Sequence, residues 1–228
     1  NATLTYREYK EQKMAKETPR QPTIERVVYV VDDDESVRDS LAWLLKSNGF
    51  KNSCHENAER FLQTLASAKP SECACLLLDL NLPGISGIEL QIKLKNDGYK
   101  IPIAFLTGQA EIAQAVEALK QGAHDFIQKP FIEDSLCMIV REMLDKAHLN
   151  ILQDEEVKTV KSKFSLLTKR EKEVFECLVE GSTNRGTAER LGISLKTVEA
   201  HRASVMNKLG VARVAALLKL AITLKQSD

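Results

Sequence analysis

The sequence predicts an α/β fold, a doubly wound parallel sheet of five strands, followed by a second, smaller all-α domain. Three observations carry that prediction. From Arg26 to Lys146 short apolar runs alternate five times with segments of helical spacing, all within about 120 residues. Beyond Lys146 no strand pattern recurs, and three of the four helical segments there end at a glycine: Gly181, Gly192 and Gly210. The charge divides along the same line. Glu25 to Asp145 carries 12 Lys/Arg against 19 Asp/Glu, a balance of −7, whereas Ser165 to Asp228 carries 11 against 7, a balance of +4, in a chain whose net charge is zero.

The elements follow in order. Residues 1–24 are polar, lack periodicity and contain Pro19 and Pro22, so they are expected to form a flexible tail, with Met14 a candidate natural start. "VVYVV" is the first strand and runs into a helix in which Val37, Leu41, Leu44 and Leu45 hold helical spacing and Gly49 follows the end. A weak strand near Phe50 to His55 precedes a helix over Ala58 to Ala66. "CACLLL" precedes a helix over Ile88 to Lys95, "IPIAFL" one over Ile112 to Gln121, and "HDFIQK" one that starts at Glu133. The charged segment "AHLNILQDEEVKTVKSKF" is a linker or a helical extension, since Leu136, Met143 and Val157 fall on one seven-residue register that Asn150 and Asp154 interrupt. "LTKREKEVFECLVEG", "TNRGTAERLG", "SLKTVEAHRASVMNKLG" and "ARVAALLKLAIT" then give four short helices. The expected divisions are a tail at 1–24, an α/β domain at 25–146, a linker at 147–164 and a helical domain at 165–228.

Composition excludes several classes. The 43% hydrophobic content is enough for a packed core. No apolar run approaches the roughly 18–20 residues of a membrane span, and the start lacks the apolar stretch of a signal peptide. The five cysteines are odd in number, and Cys73 and Cys75 stand C-x-C inside an apolar run, so reduced thiols in a cytoplasmic protein are expected. A basic last part suits a polyanion.

Three adjacent aspartates, Asp32 to Asp34, follow the first strand without a turn residue. A helix N-terminus explains one of them, Asp34, as a cap. In a parallel sheet, ligands sit outside the carboxyl ends of the strands. Asp32 and Asp33 follow the first strand, Asp79 the third, Thr107 the fourth and Lys129 the fifth, so carboxylates, a hydroxyl and an ammonium converge on one edge. Hard oxygen ligands there suit Mg²⁺, which would offset their repulsion. A carboxylate beside such an ion can attack a phosphoryl group, with Lys129 and Thr107 holding its oxygens.

"VVDDDES", "LLLDLNLPGISGIEL", "FLTG" and "DFIQKPF" together resemble the signature pieces of a response-regulator receiver domain, of flavodoxin-like fold, over about residues 25–146. The resemblance implies that Asp79 is the phosphoacceptor and Asp33 a direct metal ligand. It implies that Asp32 acts through water, that Asn81 lends its backbone carbonyl to the metal, and that Lys129 and Thr107 contact the phosphoryl group. Phe126 stands at the switch-aromatic position and Pro130 at the usual proline. His124 is read as an ordinary histidine.

"LTKREKEV", "GSTNRGTAERLGIS" and "TVEAHRASVMNKL" resemble the LuxR-type helix-turn-helix that is joined to a receiver in the NarL/FixJ family. On that resemblance the recognition helix is "SLKTVEAHRASVMNKLG", capped by Ser194. At roughly 100° per residue Val198, Val205 and Leu209 share its core face, while Lys196, Glu199, Ala200, Ala203 and Asn207 point toward a major groove. Glu199 can accept from a cytosine amino group, and the alanine methyls can touch thymine methyls. Lys196 and Thr197 are expected on phosphates, Arg202 on the backbone, and Asn184 belongs to the same DNA-contacting set. Gly186 and Thr187 replace the usual helix former and apolar residue, and an interior glycine costs about 1 kcal/mol, so the first helix of the motif is expected to be loose.

The reading is a two-component transcriptional regulator, not an enzyme, that is phosphorylated by a sensor histidine kinase. It binds double-stranded promoter DNA, dimerises on phosphorylation, and has RNA polymerase as a further partner and Mg²⁺ as cofactor. A Mg²⁺-dependent phosphohydrolase with Asp79 as nucleophile is the main alternative; the D-x-D motif of such enzymes is absent at Asp79. A scaffold that binds protein instead of DNA is the third.

Overall fold

The computed structural model describes residues 25–67, 73–108 and 112–225, so the tail expected at 1–24 lies outside the described residues. The chain divides into two compact units, Asn1–His148 and Leu149–Asp228.

The first unit alternates strands and helices: β1 (Arg26–Val31), α1 (Glu35–Ser47), β2 (Lys51–His55), α2 (Ala58–Ser67), β3 (Cys73–Asp79), α3 (Gly87–Asn96), β4 (Ile103–Thr107), α4 (Ile112–Lys120) and β5 (Asp125–Gln128), then α5 (Glu133–Ser165). All four strand pairings are parallel and the order is β2-β1-β3-β4-β5. Every residue of β3 is buried, which is why "CACLLL" reads as an unbroken apolar run with no polar alternation. Period-two side chains divide the core between the two faces. Val27, Tyr29, Val31, Ala74, Leu76, Leu78, Ile103 and Phe105 pack with Phe61 and Leu65 of α2 and Leu90 and Leu94 of α3. Cys73 faces the other way, and its thiol donates to the Leu144 carbonyl of α5 at 3.4 Å. All five cysteines are free thiols.

The predicted elements are present with ends shifted by one or two residues. The segment after Lys146 is helical extension: no glycine or proline occurs between Pro130 and Gly181, so α5 runs unbroken to Ser165. The seven-residue register needs correction. Leu136 and Met143 are fully buried in the first unit, so they cannot also form the seam of a coiled coil.

The second unit carries α6 (Lys169–Val179), α7 (Asn184–Leu191), α8 (Leu195–Leu209) and α9 (Val214–Lys225). Thr168, Thr183 and Ser194 cap α6, α7 and α8, each accepting a backbone N–H with its hydroxyl. Gly192 and Gly210 close α7 and α8 in the left-handed conformation, at φ 63° and 69°. Leu167, Val174, Phe175, Leu178, Val205, Leu209, Leu217 and Ala221 form the core. Among the described residues no helix is long and apolar enough to cross a membrane.

Candidate functional site

The strand order reverses between β1 and β3, and that gap in a parallel sheet is where a ligand is received. Asp32 leaves the end of β1 and Asp79 ends β3. Lys129, just past β5, bridges them: its ammonium donates to Asp32 Oδ2 at 2.7 Å and to Asp79 Oδ1 at 2.5 Å. The remaining carboxylate oxygens take backbone amides, Asp34 N–H on Asp32 Oδ1 at 3.0 Å and Asn81 N–H on Asp79 Oδ2 at 2.7 Å. Burial pushes the Asp32 carboxyl up, against the hydrogen bond from Lys129 and the amide of Asp34. Burial opposes the Lys129 charge as well, but hydrogen bonds and Coulomb attraction from Asp32 and Asp79 outweigh it and raise its pKa.

Thr107 ends β4 fully buried, and its Oγ1 has no hydrogen-bond partner among the described residues. An orphaned buried hydroxyl costs about 1–3 kcal/mol, a cost that an incoming oxygen acceptor would relieve. Phe126 is half-buried against the core, opposite Phe105 in the β4–β5 register. The Lys129–Pro130 peptide is cis.

The aspartate triplet resolves into three fates. Asp34 is the N-cap of α1, accepting from Ser36 N–H at 2.8 Å and Val37 N–H at 3.4 Å. Asp32 is buried against Lys129. Asp33 is exposed. Among the described residues no group of three or more His, Cys, Asp or Glu is gathered as a metal site by itself. A cation here therefore has to complete its shell with backbone carbonyls, water and ligand oxygens, the hard donors that Mg²⁺ takes.

Three further residues shape this edge and were not singled out in the sequence. Arg38 donates from one nitrogen to the backbone carbonyls of both Asp32 and Asp33, at 2.8 Å each. Glu59 of α2 accepts from Ile85 N–H in the loop after Asp79, at 3.4 Å. Gly87 opens α3 so close to β3 that a Cβ would stand 2.2 Å from the Asp79 carbonyl oxygen. Carbonyl acceptors and backbone approaches leave no residue-type signature, so only the glycine carried a signal.

In the second unit Lys196, Glu199, Ala200, Ala203 and Asn207 are all exposed, while Val198, Val205 and Leu209 are buried. Thr197 is half-buried, its hydroxyl 2.7 Å from that of Ser194. Arg202 donates to Asn184 Oδ1 at 2.8 Å and ties α8 to α7. Gly186 falls in the first turn of α7, where its N–H donates to the Thr183 hydroxyl at 3.1 Å, and not in the helix interior for which the penalty was expected. Thr187 is buried with its Oγ1 unpartnered. Glu171 was also missed; it opens α6 and faces Ser204 and Lys208 of α8.

Comparison with known proteins identifies the families of both units. Residues 28–141 match the model for the response regulator receiver domain, and residues 165–221 that for bacterial regulatory proteins of the luxR family. Transcriptional regulatory protein FixJ of Azorhizobium caulinodans is 38% identical over 195 residues, covering 86% of this chain and 91% of that protein. Response regulator protein TmoT of Ectopseudomonas mendocina is 37% identical over 203 residues, covering 89% and 91%. Among solved structures, response regulator StyR superposes with a TM-score of 0.74 at 38% identity, covering 86% of this chain and 98% of that one. Full-length FixJ from B. japonicum gives a TM-score of 0.54 at 34% identity, covering 88% and 97%. With an acidic sheet edge in one unit, a capped helix-turn-helix in the other and full-length relatives that share both, the chain belongs to the NarL/FixJ family of two-component transcriptional response regulators, which are phosphorylated by a sensor histidine kinase and bind promoter DNA.

Proposed function

We propose that Asp79 is the residue the kinase phosphorylates. The observation that carries this is the pairing of the Lys129 ammonium, 2.5 Å from Asp79, with the buried and unpartnered Thr107 hydroxyl at the next strand end. Asp79 supplies the oxygen of the new P–O bond as the P–N bond to the kinase imidazole breaks and its electron pair stays on nitrogen. Lys129 and Thr107 then take the phosphoryl oxygens. Receiver domains generally bind Mg²⁺ at their acidic pocket. Here Asp33, Asp79 and the Asn81 carbonyl would hold it directly and Asp32 through water, and the ion would offset the negative charge of the acceptor and the incoming group.

In the second unit α8 reads a major groove. Glu199, Ala200, Ala203 and Asn207 face base edges, while Lys196, Thr197, Arg202 and Asn184 contact the DNA backbone; the exposure of the outward set supports this. The receiver spans 25–146, a linker 147–164 and the DNA-binding domain 165–228. Phosphorylation moves Thr107 and Phe126, and two chains pair as a homodimer that engages RNA polymerase. The chain turns over no external substrate and works in the cytoplasm, a compartment that suits its five free thiols.

Acetyl phosphate with Mg²⁺ tests the first site: the wild-type chain should gain one phosphoryl group and Asp79→Asn none. Full incorporation in that variant would reject the assignment.

A further inference from the structure

Glu171 carries a buried charge that neither phosphorylation nor base reading uses. Its side chain is 6% exposed. Oε1 accepts from the Ser204 hydroxyl at 2.6 Å, and Oε2 from the Lys208 ammonium at 2.7 Å and from Thr168 N–H at 2.7 Å. Lys208 also donates to the Leu166 carbonyl, just past the end of α5, at 3.2 Å. The hydrogen bonds from Lys208, Ser204 and Thr168 hold the Glu171 carboxyl at about 2.

Ser204 and Lys208 are one helical turn apart on α8, and Ala200 precedes them by another turn, so the column that begins at the outward face ends on α6. The apolar contacts of Val205 and Leu209 hold α8 down but are non-directional, and tolerate rotation about its axis. Hydrogen bonds are directional and do not. A side-chain tip lies about 5–6 Å from the helix axis, so a rotation of about 20° would move it about 2 Å. That displacement breaks a base-edge hydrogen bond.

We infer that Glu171, Ser204 and Lys208 form a latch that sets the rotation of α8 against α6, and so act as positioning residues for sequence selectivity. The inference rests on the reading of α8 as the base-reading helix. It separates selectivity from stability. Phosphate contacts supply most non-specific affinity and survive a small rotation, whereas base contacts do not.

The test uses the full-length chain with two probes: a duplex selected from a random pool by the wild-type chain, and a scrambled duplex of equal length. Glu171→Gln keeps a capping-box side chain but loses the charge, and Lys208→Met keeps the aliphatic stem. Each should stay folded by circular dichroism, hold non-specific Kd within about twofold, and lose about tenfold in the ratio of the two affinities, comparable to one mismatched base pair. Ser204→Ala removes a single hydrogen bond and remains informative if the charge variants unfold; it should lower the ratio, and Ser204→Thr, which keeps the hydroxyl, should restore it. Equal losses on both probes, or an unchanged ratio in Ser204→Ala, overturn the latch. Glu199→Ala separates the two readings. If it lowers the ratio and the latch variants do not, the latch is wrong and the reading of α8 stands. If Glu199→Ala also leaves the ratio unchanged, α8 is not the base-reading helix and the latch falls with it.

Discussion

Asp33 and Asp34 are neighbours with the same chemistry, and their surroundings predict opposite phenotypes. The Asp34 carboxylate satisfies two amides at the start of α1, so Asp34→Ala should lower stability by about 1 kcal/mol and leave Mg²⁺ titration little changed. Asp33 is exposed at the acidic edge, and Asp33→Ala should abolish the calorimetric Mg²⁺ signal with little change in stability. Equal effects on Mg²⁺ would mean the triplet is misassigned. The Asp34 cap was legible because helix N-termini prefer Asp, and a single cap leaves two carboxylates over. Arg38 was not legible, since its partners are the carbonyls of Asp32 and Asp33, which any two residues would offer. Gly87 differs, since a glycine at a helix start is itself a signal of close backbone approach. A Cβ there would meet the Asp79 carbonyl oxygen at 2.2 Å, and because the obstacle is backbone, nothing can swing aside. Gly87→Ala should cost about 1–3 kcal/mol in urea denaturation and slow labelling by acetyl phosphate, because β3 must shift at the phosphoacceptor.

Among the elements, strands and helices were readable to within one or two residues because each carries its own stop signals: Asp34, Ser86, Thr168, Thr183 and Ser194 at the starts, and positive-φ glycines after the ends. Gly186 shows where pattern reading failed. A glycine counted inside a helix is destabilising, yet the Thr183 cap, itself legible, puts it in the first turn, a position that the expected penalty left unweighed. Glu171 belongs to this scale because it joins α6 to α8. Its carboxyl is held at about 2, below the ordinary 4.5, by Lys208, Ser204 and the Thr168 amide. The unfolded chain therefore binds more protons across that interval, and the stability this group contributes is complete above about pH 4.5 and disappears as pH falls through about 2. Denaturation midpoints of wild-type and Glu171→Gln chains should differ at neutral pH and converge between those limits. A difference that stayed constant to pH 2 would show that the charge contributes nothing.

For the whole molecule the open matter is how a phosphoryl group in one unit changes DNA binding by the other. A preformed coiled coil through Leu136, Met143 and Val157 is ruled out as a seam, because Leu136 and Met143 are already buried in the receiver core. The sequence register looked plausible because core packing and helix pairing both space apolar residues by about one turn in two. The proposed switch lies in the receiver. A phosphoryl group adds about 1.5–2 negative charges at Asp79, and the buried Thr107 hydroxyl, with no partner of its own, is the donor nearest in kind. Its movement would free space beside Phe126, which is half-buried against the core, and alter the surface of α4 and β5. Moving such a switch from mostly off to mostly on takes about 5.5 kcal/mol of differential stabilisation. A charge-assisted hydrogen bond contributes about 1.5–3 kcal/mol, so Thr107 alone does not complete the transition, and in the proposed homodimer the pairing of two chains would add to it. Two predictions follow from that inequality. Sedimentation of the full-length chain should show monomer alone and dimer with beryllofluoride and Mg²⁺, a phosphoryl mimic. Thr107→Val, which removes the donor and keeps the volume, should raise the concentration at which the mimic drives dimerisation while leaving the mimic able to bind. A dimer in both states would move control out of the receiver and into α5.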